Sequence, residues 1–187
     1  DSDGARLSAL VGLAETGDIP ADESAWVNEN HPEMLAELRA RAALATGDPG
    51  AAVRALPQPP SARDAIVLSL AHAGSGDLTR AAEILLDAAG RLDAPHLLAM
   101  RAFMLADAVD VDVDAFGRLS ASSAAAIDRA KSAVGDALAA APTSADVPNL
   151  LRLRAQLTHQ AGDWRACMTA CRAALDVAPD AGATSAW

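Results

Sequence analysis

Tyrosine is absent, aromatic residues make up 3% of the 187 positions, and the chain holds two cysteines and a single lysine, Lys131. With so few large rings, its elements must pack by close backbone approach. Helices do this best, because alanine is the strongest helix former and loses no rotamer entropy on folding. Two cysteines exclude a disulfide scaffold and leave the compartment open. No run reaches the roughly 18 apolar residues that a membrane span needs, and no charged segment leads into an apolar one at the start of the chain. The expectation is therefore a soluble protein without membrane insertion, in the cytoplasm. The start at Asp1 leaves open a removed signal or anchor, or a larger parent protein. A basic stripe is also missing. The 15 basic residues are scattered singly in a chain of net charge -10 and pI near 4.7, which argues against direct contact with a phosphate backbone.

Alanine dominates what is present. Hydrophobic residues account for 51% of the chain, enough for a continuous core in one domain or one short helical array. Aspartate outnumbers glutamate by 19 to 6, and arginine far outnumbers lysine. This bias reads as the coding flavour of a high-GC bacterial genome and not as chemistry.

Glycine is followed by aspartate five times among 12 glycines, at Gly17-Asp18, Gly47-Asp48, Gly76-Asp77, Gly135-Asp136 and Gly162-Asp163. The spacings of 30, 29, 59 and 27 are near multiples of one period. A period in this range marks stacked supersecondary units, none of which buries its apolar face alone. Glycine can close a helix in the left-handed conformation and aspartate can cap the next, so the expected unit is helix, Gly-Asp turn, helix. Gly135-Asp136 fits less well, because residues 124–141 read as one unbroken helix.

The last copy is the clearest. Leu150, Leu153 and Leu157 mark one face of a first helix, Gly162-Asp163-Trp164 makes the turn, and residues 165–178 form a second helix ended by Pro179. Here the chain resembles the tetratricopeptide repeats, in which a Gly-Asp-aromatic turn precedes a second helix with small, bulky and small residues at fixed steps and a closing proline. Cys167, Cys171, Ala174 and Pro179 stand at those steps. The copy around Gly76 supplies Ala81, Leu85 and Ala88, with Pro95 two residues late. The copy around Gly47 supplies Ala52 and Leu56, then breaks at Pro57, Pro59 and Pro60. The first helices depart from the family, with Leu151, Ala155 and Thr158 where its Trp, Gly and Tyr usually stand. The resemblance covers about half the chain. It implies an all-α fold of antiparallel helix-turn-helix pairs, stacked as a tetratricopeptide-like α-solenoid or a compact helical array.

Read in order, the chain gives a helix over 5–16, a cap region at 20–24 with a short helix carrying Trp26, and a helix over 32–46. A short helix follows, then the corner at 57–60, helices over 64–73 and 78–92, and one over 95–109 that starts at a proline. Residues 1–109 are thus expected to form N-terminal helical pairs within a single domain, 1–187. Residues 110–146 hold an irregular, flexible segment and a long alanine-rich helix, 147–179 the C-terminal pair with Ser144 or Asp146 as its cap, and 180–187 a tail.

Few residues suggest chemistry. Asp110, Asp112 and Asp114 imitate the start of a calcium loop, but Ala115 replaces the required glycine and Ala121 the bidentate glutamate. Cys167 and Cys171 lie four apart without a zinc-spaced companion, so they read as buried thiols. His31, His72, His96 and His159 are dispersed, at helix ends or on the surface, and no nucleophile elbow, P-loop or dinucleotide cradle occurs. No catalytic residue, cofactor or metal is expected, and the chain reads as not an enzyme.

In the tetratricopeptide family the first helix of each pair lines a concave groove. Carried onto this chain, that register places Asn149, Arg152, Gln156 and His159 there, at helical steps of three or four opposite the leucines. Arg152 could grip a carboxylate with a bidentate fork. The other copies place Met34, Glu37, Arg41 and Leu44, then Arg63, Ile66, Leu70 and Ala73. The resemblance implies a scaffolding or interaction module with a protein or peptide partner in the groove, Arg63 included. The alternative is a ligand-sensing or regulatory segment, since residues 76–108 are similar to the helical region of large actinobacterial transcription activators.

Overall fold

The computed structural model describes residues 2–177, and Pro179 and the tail at 180–187 lie outside them. Among the described residues the protein is all-helical, with ten α-helices and one isolated bridge between Val113 and Leu119. None of these helices is long and apolar enough to cross a membrane. The chain divides into two compact units, residues 1–88 and 89–187.

The first unit contains α1 (Ser2–Ala14), α2 (Ala21–Asn30), α3 (Pro32–Ala45), α4 (Pro49–Ala55) and α5 (Ala62–Gly74). The division falls within α6 (Leu78–Arg91). Helix α3 is the hub, packing on α1, α2, α4 and α5. Leu10, Val27, Leu35 and Leu38 are buried at its centre, with Trp26 and Met34 packed against them. Prolines at the starts of α3 and α4 supply a preset φ where no amide hydrogen is needed. Helix α4 stops at Ala55, just before the proline-rich corner, as its sequence requires.

The second unit contains α7 (His96–Asp107), α8 (Ala121–Ala140), α9 (Val147–Gln160) and α10 (Trp164–Val177). Helices α7, α8 and α9 pack on one another, and α10 packs on α9. The seam is lined by Ala99, Ala102, Ala130, Ala133 and Ala137, with Ile127, Leu150 and Leu157 filling the gaps. Alanine at these positions lets the backbones approach closely, which is how a chain poor in aromatics closes its seam.

Four of the five Gly-Asp dipeptides are turns, and Gly17, Gly47, Gly76 and Gly162 each hold φ between 74° and 84°. At every one the glycine amide bonds the carbonyl three residues back and the aspartate amide the carbonyl five back, as in Asp77 to His72 at 2.9 Å and Asp163 to Thr158 at 2.9 Å. That pair of bonds is the Schellman closure. At three turns the same aspartate then caps the next helix. Its Oδ1 accepts from the amide of Ala51 (2.8 Å), Arg80 (3.0 Å) or Ala166 (3.0 Å). Asp18 does not, because Pro20 comes between it and α2.

Gly135-Asp136 is no turn. Helix α8 runs straight through it, since the apolar positions Ile127, Ala130, Val134 and Ala137 keep one face buried across the dipeptide. Asp136 instead pairs with Arg101 of α7 at 3.2 Å. The expected cap of α9 also differs. Asp146 stands at the N-cap without a side-chain bond to the helix, while the Ser144 hydroxyl accepts from the Asp146 amide at 3.2 Å.

Candidate functional site

Helix α9 is amphipathic in the plain sense that Leu150, Ala155, Leu157 and Thr158 are buried. Asn149, Arg152, Gln156 and His159 are all exposed, so the structure brings these four onto one solvent-facing side. Among these four side chains one hydrogen bond forms, a long one from Arg152 Nη1 to Asn149 Oδ1 at 3.4 Å. Arg152 forms no ion pair among the described residues. Its guanidinium therefore retains most of its five donors for an incoming acceptor. The His159 ring meets the Trp164 ring edge-on, with centroids 4.7 Å apart and planes at 89°, so an aromatic pair borders the C-terminal end of this face.

Arg63 belongs to the first unit and is engaged. Its Nε forms an ion pair with Glu37 Oε1 at 2.6 Å, and Arg41 Nε donates to the same oxygen at 2.7 Å. Arg41 reaches on to Glu15 at 3.1 Å. The Glu37 side chain is almost wholly buried, which makes this a charge chain tying the end of α1 to α3 and α5. Of the neighbouring positions, Leu70 is exposed and Ile66 half-buried.

The aspartates of the 110–114 stretch organise a closed turn. Asp114 accepts the backbone amides of Phe116 and Arg118 at 2.9 Å each and the Arg118 Nε at 3.0 Å. The bond from the Arg118 amide is the main reason its carboxyl is held below the usual aspartate value, with the Phe116 amide and the Arg118 side chain adding to it. The Ser123 hydroxyl donates to the Asp110 carbonyl at 2.8 Å and accepts the Asp112 amide at 3.0 Å, pinning the stretch to α8. Phe116 sits at the tip, 83% exposed. The segment expected to be flexible is thus a hydrogen-bonded turn. Among the described residues, no three His, Cys, Asp or Glu side chains gather to hold a metal.

Cys167 and Cys171 are free thiols, half-buried and not fully enclosed as their register suggests. Partial burial, with Cys167 beside it, pushes the Cys171 thiol up. The reason for their exposure is that α10 carries two apolar stripes and only one meets α9. Ala170 lies buried on the inner side, while Trp164, Met168 and Leu175 stand exposed on the outer side. Sequence reasoning assigned one face to α10 and overlooked the second. The steps of four, three and four through Trp164, Met168, Cys171 and Leu175 carry that signal.

Neither protein-family models nor curated proteins give a match to the chain.

Proposed function

We propose that the chain is a non-catalytic interaction module of tetratricopeptide-like helix pairs, binding a peptide or a helical segment of another protein. Its contact face is the outer side of α9, where Asn149, Arg152, Gln156 and His159 present donors and acceptors side by side. The observation that supports this reading is the unpaired Arg152 guanidinium on an exposed helical face otherwise free of charge pairing. A carboxylate from a peptide would satisfy that fork in two parallel bonds. The Schellman-plus-cap geometry at Gly47, Gly76 and Gly162 supports the likeness to tetratricopeptide pairs.

The test is affinity capture from a native extract with the wild-type chain and an Arg152→Ala, His159→Ala double variant of equal helicity. The variant is expected to lose one reproducible protein partner. Unchanged capture by the variant would remove the α9 face from the site.

A further inference from the structure

The outer stripe of α10 is the least expected surface of the molecule. Trp164 is 63% exposed, Met168 55% and Leu175 51%, and Cys171 lies between them on the same line. At 1.5 Å per residue the stripe runs about 16 Å along the helix. A helix needs only one apolar stripe to hold its place in a fold, and α10 already has one against α9.

The charge beside the stripe is equally unusual. The chain carries a net charge of -10, yet residues 147–177 contain four arginines and two aspartates. One of those aspartates, Asp163, is committed to capping α10 through the Ala166 amide, and the other, Asp176, follows Arg172 by four residues on the same edge, leaving that edge net positive. Arg6, Arg41, Arg54, Arg63, Arg80, Arg101 and Arg118 are ion-paired, whereas Arg152, Arg154, Arg165 and Arg172, like Arg39 and Arg129 elsewhere, form no ion pair among the described residues. Arg165 and Arg172 are seven residues apart and so border the same edge of the stripe.

We propose that the outer face of α10 docks an acidic amphipathic helix of a partner protein, with apolar side chains packed along Trp164, Met168, Cys171 and Leu175 and carboxylates reaching Arg165 and Arg172. A helix suits this surface because it satisfies its own backbone bonds and interdigitates its ridge with a straight row of side chains. An extended peptide would find no sheet edge to pair with. The inference rests on the proposed function only in taking the chain as an interaction module, and it places helix recognition on the outer face of α10, whose Trp164 meets the α9 residue His159.

The experiment is a displayed library of 16-residue amphipathic helices whose flanking positions vary among Glu, Gln and Lys, selected against the full chain. Clones rich in Glu are expected. Met168→Glu should weaken their binding tenfold or more, and Arg165→Glu with Arg172→Glu should do the same while shifting preference to Lys-flanked clones. Asn149→Ala with Arg152→Ala should leave the affinity within twofold, which separates failure here from failure of the α9 site; His159 is kept because its ring contacts Trp164. These positions are exposed, so circular dichroism should report unchanged helicity, and the switch to Lys-flanked clones is a gain that an unfolded variant cannot give.

Five results would overturn the proposal: no enriched clone, enrichment without charge bias, a dimer of this chain that Met168→Glu dissolves, binding that appears only after removal of residues 178–187, or capture by anionic vesicles that depends on Met168.

Discussion

At the scale of single residues, the turns and their charged partners make the sharpest statements. Gly76 holds φ at 84°, and a Cβ there would meet nothing within 4 Å. Gly76→Ala should therefore cost only the left-handed backbone, about 1 kcal/mol in chemical denaturation. Gly17→Ala should cost more, because its Cβ would fall 2.7 Å from Thr46 Cγ2. Asp114 gives a pH dependence of defined sign. The amide bonds hold its carboxyl below the ordinary aspartate value, so the turn is stabilised above the unfolded value and loses that support as the pH falls through the folded one. The amide signals of Phe116 and Arg118 should move together with a midpoint below that of an unstructured aspartate, and Asp114→Asn should abolish the movement. Such a residue was readable in the sequence only as one of three alternating aspartates. Its role depends on Gly117 turning the chain back so that the Arg118 amide reaches it.

Among elements, the first unit is bound by an ion chain as well as by leucines. Glu37 is ion-paired to both Arg41 and Arg63 while almost fully enclosed, so Glu37→Gln should leave Arg63 without its counter-charge and Arg41 with Glu15 alone, and cost about 2 kcal/mol in thermal or chemical unfolding. Arg63→Ala should cost less, since that side chain is about half exposed and water replaces its partner. The helices themselves were legible from alanine content, proline starts and Gly-Asp stops, and every segment read as helical is one. What the sequence concealed was the use of faces. Glu37 has a place in the groove register, yet its fate was decided by Arg63 of α5, 26 residues later. Likewise the inner stripe of α10 was anticipated through Cys167 and Ala174, whereas Cys171, expected inside, lies on the outer stripe, which needed knowledge of which side α9 would take. The four α9 residues were legible because a single helical period sorts them from Leu150 and Leu157.

For the whole molecule, charge is the governing quantity. A net charge of -10 opposes approach to a polyanion, and the four unpaired arginines of α9 and α10 are too few and too mixed with apolar side chains to form a phosphate track. Duplex DNA should show no mobility shift with the chain at physiological ionic strength, and a salt-sensitive shift would contradict this. The all-helical architecture was legible from composition because a chain without tyrosine and with alanine at its seams has one economical way to pack. The division into two units was not, since α6 is written as one continuous helix and nothing in its residues marks the boundary at 88 and 89.

The Gly-Asp junction carries a further consequence. At Gly162-Asp163 the amide of the aspartate ends α9 and its carboxylate begins α10, so one residue fixes both the exit of one helix and the entry of the next. A link this short has little slack, and its bonds close over a few residues on the fast timescale of local contacts. The direction of α10 is thereby written locally, before any distant side chain has found its neighbour. The row from Trp164 to Leu175 is aimed by its hinge as well as by the Ala170 side packed on α9, and lengthening that hinge by one residue would rotate the row away while leaving every buried leucine of α9 in place.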